Sequence, residues 1–146
     1  VMEMKASIDR RVIQWLVRAS GPQNYHFARL NVTPGAPLTK LEFERWSVVN
    51  GRTGRVTRLP LPHAGANQTL FDIRVEVKGD TVTTYLQEQV IDTFSDPRLP
   101  EGGIGLVGSG DDRPRIYGLH VYHQNDFLGK LCSFFASTPI ANQVSE

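Results

Sequence analysis

The sequence predicts an all-β domain, built as a sandwich or a barrel, on two main observations. In residues 71–78, apolar and charged side chains alternate without a break, which is typical of a strand with one buried and one wet face. Turn signals such as Asn50-Gly51 and Gly79-Asp80 then recur about every ten residues along the chain. Many short strands joined in this way, with at most one helix, favour a two-layer or closed β structure.

The alternation and the turns together place the strands. They are predicted at residues 2–8, 12–19, 24–30, 41–49, 52–61, 71–78, 81–86, 90–94, 104–107 and 116–122. The proline-containing stretches 32–38 and 60–67 are predicted to be loops or irregular connections, and residues 87–89 to be a tight turn.

The C-terminal tail has a different pattern. Asp126 is a candidate helix cap, because an aspartate accepts the free amide hydrogens of a first turn. Apolar residues then recur at helical spacing, at Phe127, Leu128, Leu131, Phe134 and Phe135. We therefore predict a short helix over residues 127–135 that docks on a neighbouring surface, since an exposed apolar patch of that size is unusual on a monomer.

Composition excludes several classes of function. The 146 residues carry a formal net charge of +1 with no basic block, which argues against nucleic acid as a partner. No apolar run approaches the roughly 18 residues that a membrane span needs. Cys132 is the single cysteine, so no intramolecular disulfide can form and we expect a buried thiol.

No cofactor or metal is predicted. There is no cluster of His and Cys for zinc, and the glycine-rich residues 102–110 lack the lysine and the following helix of a nucleotide site. Asp96 and the Asp111-Asp112 pair lie in predicted loops, but they lack the spaced oxygen ligands of a calcium site.

The central part of the chain carries the motifs of a known family. They comprise Arg74, Glu76, Lys78, Gly79, Asp80, Val82, Tyr85, Leu86, Val90, Phe94 and the Gly-Gly-Ile-Gly-Leu run at residues 102–106. With the closing strand, they resemble the concanavalin A-like (laminin G-like) jelly roll. The nearest relatives are the bacterial domains called 3-keto-disaccharide hydrolase, also known under a domain-of-unknown-function label. The resemblance covers about residues 2–123.

This resemblance implies a jelly-roll β-sandwich of two antiparallel sheets over residues 1–123, followed by a tail with a short docked helix over residues 124–146. The family's first strands have no counterpart, and the chain begins inside a strand pattern, so we expect a piece of a longer, exported bacterial protein. The hydrolase-like members place a carboxylate and an amide after the tyrosine of the third strand. Here Tyr25 is kept, but His26 and Ala28 stand at those positions.

A jelly-roll sheet that binds sugar offers aromatic platforms and planar polar groups on its concave face. The predicted carbohydrate-binding residues are Arg18, Tyr25, His26, Trp46, Tyr85 and Gln87. Structural roles compete with this one. Trp15 is expected in the core, Arg18 in a salt bridge, and His26 in a simple hydrogen bond. For Trp46 the two roles are evenly balanced.

Two residues are candidates for catalysis. His26 is a possible general base. Glu44 and Glu42 project from the same side of a strand, and a glycosidase needs two neighbouring carboxyl groups. The competing interpretation of the two glutamates is a solvated face. Three hypotheses follow: a carbohydrate-binding or adhesive module without catalytic activity, a glycoside hydrolase of the 3-keto-disaccharide type, and a structural or interaction domain with no sugar site.

Overall fold

The computed structural model describes residues 1–7, 11–35, 37–65, 68–108 and 115–122. These residues form strands and no helix. The strands are β1 (Met2–Ser7), β2 (Arg11–Gly21), β3 (Asn24–Thr33), β4 (Leu38–Val49), β5 (Arg52–Thr53), β6 (Thr57–Gly65), β7 (Leu70–Lys78), β8 (Thr81–Leu86), β9 (Gln89–Ser95), β10 (Gly103–Val107) and β11 (Arg115–Val121).

The strands form two antiparallel sheets. Sheet A has the order β11-β1-β7-β8-β9, and sheet B has the order β10-β2-β3-β4-β5, with β6 also pairing with β4. Strands that are distant along the chain are therefore neighbours, as when β1 lies between β11 and β7. The prediction of a jelly-roll sandwich of two antiparallel sheets is confirmed.

The core lies between the sheets and is built from every second residue of the strands. It contains Met2, Met4, Ala6, Ile13, Trp15, Val17, Ala28, Leu30, Val32, Leu41, Phe43, Phe71, Ile73, Val75, Val82 and Leu86. Trp15 is 1% exposed, and its ring centroid lies 6.0 Å from that of Phe43. Burying a large apolar side chain contributes about 1.5–3 kcal/mol. The prediction that Trp15 is a core residue is confirmed.

One connection differs from the prediction. Residues 60–67 were expected to be irregular because of their prolines, but β6 continues through Pro60 and Pro62 to Gly65. Strand β6 is an edge strand of sheet B, and its Pro60 lies opposite Glu42 of β4. An edge strand tolerates proline, because the missing N–H removes no hydrogen bond to a further strand. The predicted strand at residues 52–61 is instead divided into β5 and β6.

The predicted tight turns are present. Asn50 and Gly51 have φ values of 51° and 74°, and Gln87 and Glu88 have φ values of 50° and 66°. Two consecutive positive φ values match the right-handed twist of the strands that such a turn joins.

Several predictions fall on residues outside the described ranges: the tail helix, the buried Cys132, and the loop with Asp111 and Asp112. Within those ranges, no helix is long and apolar enough to cross a bilayer.

Candidate functional site

The outer face of sheet B carries several planar polar and aromatic groups. Because His26, Ala28, Leu30 and Val32 of β3 are buried, the alternate residues of that strand point outward. The register then extends this face to the neighbouring strands β2, β4 and β6. We call this surface the outer face of sheet B.

A row of four polar side chains crosses this face. In the backbone register of the sheet, Gln14 lies opposite Arg29, Arg29 opposite Glu44, and Glu44 opposite Arg58. Four adjacent strands therefore each supply one residue. The Arg29 Nε donates to Glu44 Oε2 at 2.6 Å, and the Arg58 Nε donates to Glu44 Oε1 at 2.9 Å. We call these four residues the polar row. Its carboxylate is held in one orientation by two guanidinium groups.

Glu44 is only 4% exposed although it points away from the core. Burial raises the pKa of its carboxyl group, but the hydrogen bonds from Arg58 and Arg29 outweigh burial, and the pKa is lowered overall. The expectation that Glu44 lies on a solvated face is therefore wrong. The carboxyl group stays ionised at neutral pH and acts as a hydrogen-bond acceptor.

An aromatic pair lies beside the polar row. Phe27 of β3 and Trp46 of β4 are cross-strand partners, and their rings stack with centroids 4.2 Å apart and planes inclined by 20°. The Arg29 guanidinium carbon lies 5.5 Å from the centre of the Trp46 ring. Both aromatic rings remain half-buried, so part of each ring is open to a ligand.

The predicted carbohydrate-binding residues do not come together in one place. Tyr25 and Trp46 lie on the outer face of sheet B, and both are half-buried. Tyr85 lies on the outer face of sheet A, where the Arg74 guanidinium carbon is 3.9 Å from its ring centre. Gln87 lies in the turn between β8 and β9, where its Oε1 accepts from the Asp72 amide at 3.1 Å.

His26 faces the core instead of the predicted concave surface. It is 3% exposed, its Nδ1 lies 2.8 Å from the Ser47 hydroxyl oxygen, and its ring meets Phe94 edge to face at 5.1 Å. Burial lowers the pKa of His26, with Asp96 opposing that effect. The two catalytic candidates, His26 and Glu44, therefore point to opposite sides of sheet B.

The side chain of Arg18 has a structural role at the end of β2. Its guanidinium donates to the backbone carbonyl of Gly79 at 2.7 Å and to that of Pro100. These bonds tie the end of β2 to the β7–β8 turn and to the loop before β10. The expected carboxylate partner is replaced by carbonyl oxygens.

Sheet A also has a hollow on its outer face. A groove of about 660 Å³ is lined by residues that include Glu3, Lys5, Asp72, Arg74 and Tyr117. The Lys5 Nζ lies 3.4 Å from Asp72 Oδ1, and both side chains are about half exposed. Such pairs are weak and poorly fixed, so this groove is less preorganised than the polar row.

Sequence reasoning missed Gln14, Phe27, Arg29 and Arg58. Phe27 and Arg29 have the same parity in β3 as Tyr25, and that parity was the available signal. Arg58 gave no such signal, because its strand runs on through two prolines. Within the described ranges, no group of three His, Cys, Asp or Glu side chains is arranged to hold a metal ion.

Comparison with known proteins gives one informative result. No family model matches the chain, and no curated protein matches it. A solved structure, the carbohydrate binding module CBM66 from Bacillus subtilis, superposes with a TM-score of 0.57 over 81% of this chain and 71% of that chain. The chain therefore has the β-sandwich fold of that module. At 19% identity the likeness establishes the fold alone.

Proposed function

We propose that this protein is a carbohydrate-binding module without catalytic activity, and that it binds glycan on the outer face of sheet B. The observation that carries the proposal is the buried, doubly clamped Glu44 beside the Phe27–Trp46 pair. Burying a carboxylate costs desolvation energy, and on this outward face its fixed hydrogen-bond partners offset that cost. The result is a rigid set of donors and acceptors next to an apolar platform.

Sugars have the complementary surface. Their hydroxyl groups both donate and accept, so one hydroxyl can accept from the partly exposed guanidinium group of Arg29 or Arg58 while another bonds to the Gln14 amide. Their C–H faces pack on aromatic rings, and Trp46 and Phe27 offer partly open rings beside the row. Tyr25 lies on the same face and extends the aromatic surface. The likeness to CBM66 supports this assignment at the level of the fold.

The hydrolase alternative has less support. A glycosidase of the usual kind needs two carboxyl groups placed on either side of the scissile bond, one of them protonated. Glu44 is held ionised, and His26 lies on the other side of the sheet. Hydrolase activity of the 3-keto-disaccharide type therefore stands as the weaker alternative to glycan binding without catalysis.

We further propose that the domain is one part of a larger exported bacterial protein and acts outside the cytoplasm. A module without catalytic activity concentrates an attached partner on a glycan, because linking a binding event to another raises the effective concentration of the second.

The test is a glycan array with plant and bacterial glycans, followed by calorimetric titration of the strongest ligand. Arg29→Gln is expected to weaken binding at least tenfold, because a charge-assisted hydrogen bond is worth about 1.5–3 kcal/mol. Arg74→Gln is the matched control, since Arg74 also stacks on an aromatic ring and also pairs with a glutamate, on sheet A. The absence of binding to every glycan on the array would contradict the proposal. An equal loss of affinity in the two variants would also contradict it.

A further inference from the structure

A second cluster of charged residues lies between the edges of the two sheets. Edge strand β9 of sheet A meets strands β4 to β6 of sheet B around a pocket of about 540 Å³. Its lining includes Arg45, Ser47, Arg55, Phe94, Asp96 and Arg98. We call it the end pocket. It is distinct from the outer face of sheet B, because Arg45 and Ser47 have the inward parity of β4 and Glu44 and Trp46 the outward parity.

Two of its arginines are held in fixed orientations. The Arg45 Nε donates to Asp92 Oδ2 at 2.6 Å, and its guanidinium carbon lies 4.2 Å from the Phe94 ring centre. The Arg98 Nε and Nη2 donate to the two carboxylate oxygens of Asp96 at 2.7 and 2.6 Å. Both carboxylates are buried, at 8% side-chain exposure, whereas the Arg98 side chain is 59% exposed. The two buried aspartates thus fix the orientation of the two arginines.

The third arginine has no such anchor. The exposed Arg55 has no side-chain partner among the described residues of the chain. Three arginines therefore face two aspartates, which leaves a formal surplus of one positive charge around the pocket. Thr57, Ser95 and Ser47 add hydroxyl groups to its wall. Oriented guanidinium groups with neighbouring hydroxyls are the usual recognition set for a carboxylate or a sulfate.

We propose that the end pocket is a second ligand site, which binds the oxyanion group of an acidic sugar, either a carboxylate or a sulfate ester. Its volume lies in the range of pockets that hold small ligands, which is about 300–1,000 Å³. Arg55 supplies the unpaired charge, and Arg98 and Arg45 supply oriented donors. When the oxyanion group of the sugar binds the arginines, the hydroxyl groups on the sugar ring can contact Ser47, Thr57 and Ser95. The site does not depend on whether the outer face of sheet B binds glycan.

The test is calorimetric titration with three probes: an oligogalacturonate, its methyl ester and a sulfated galactose disaccharide that carries no carboxylate. The carboxylate probe, the sulfate probe or both should bind measurably, and the neutral ester should bind at least tenfold more weakly. Arg55→Gln should weaken acid binding about tenfold, the worth of one charge-assisted hydrogen bond. Arg52→Gln is the matched control, because Arg52 is exposed on the adjacent β5 and does not line the pocket.

The two proposed sites can be tested independently of each other. Arg29→Gln should leave the binding of the acidic probes unchanged, whatever it does to a glycan found on the array. Equal binding of acid and ester, or equal effects of Arg55→Gln and Arg52→Gln, would overturn the end pocket. So would the absence of binding by both acidic probes.

Discussion

Arg29 and Glu44 lie opposite each other on β3 and β4, with Arg29 Nε 2.6 Å from Glu44 Oε2, on a side of the sheet that faces away from the core. The carboxylate of this pair is nevertheless buried. The pair therefore has the energetics of a buried ion pair, although the Arg29 side chain remains 35% exposed on that face.

Replacing Glu44 with Gln should destabilise the fold by about 2–3 kcal/mol, because two guanidinium groups lose their shared counter-charge while their surroundings stay partly buried. Urea denaturation measures the change. Asp72→Asn is the control, since the Lys5–Asp72 pair is exposed and worth less than about 1 kcal/mol. If the two substitutions cost the same, Glu44 is an ordinary surface residue.

His26 makes stability depend on pH in a defined window. Burial lowers its pKa below 6.5, although Asp96 opposes the shift, and Arg98, Arg18 and Arg45 add to it. Well above pH 6.5 the imidazole is neutral in both the folded and the unfolded chain. Below 6.5 the unfolded chain binds the proton first, so stability falls as the pH falls.

The comparison is between the wild type and His26→Asn, whose amide can still bond to the Ser47 hydroxyl. Unfolding by urea at pH 7.5 and at pH 5.0 should show a larger loss for the wild type. Asp96 does not contribute in this interval, because its pKa is lowered from 3.8 to about 2 by Arg98, against the effect of burial. Identical losses in the two proteins would show that His26 is not buried in its neutral form.

Gly102 is required by a close approach of two backbones. Its φ is +140°, and a Cβ there would overlap the carbonyl carbon of Arg18. Gly102→Ala should therefore cost about 2–4 kcal/mol, of which the positive φ accounts for about 1. Gly21→Ala is the control, because Gly21 has a φ of +148° with nothing within 4 Å. Thermal unfolding of both variants separates the steric cost from the conformational one, and similar losses would contradict the close contact.

Much of the fold was predictable because alternation and turn residues are local signals. The strands and the turns at Asn50-Gly51 and Gln87-Glu88 follow from them directly. Sheet partners are not local, so the pairing of Glu44 with Arg58 across β4 and β6 could not be predicted from alternation or turn residues. His26 was assigned to the wrong side of β3 for a related reason. The parity of a strand follows from its buried residues, and with Tyr25, Phe27, Ala28 and Leu30 around it, both faces of β3 carry apolar residues.

The residues of the proposed binding surface were the hardest to predict, because a charged residue in a strand has the same pattern whether it binds a ligand or stabilises a turn. Arg18 and Arg29 look alike in the sequence. Only the structure shows that Arg18 holds two backbone carbonyls and that Arg29 holds a carboxylate beside Trp46.

Glycan binding on the outer face of sheet B can be followed directly through the two tryptophan indoles. Trp15 is buried in the core, and Trp46 is half-buried on that face. In an ¹H–¹⁵N correlation spectrum recorded during titration with the strongest ligand from the array, the Trp46 indole N–H signal should shift and the Trp15 signal should stay in place. Trp46→Phe assigns the two signals. A titration that shifts backbone signals of Arg74 and Tyr85 on sheet A while the Trp46 indole does not move would contradict the account.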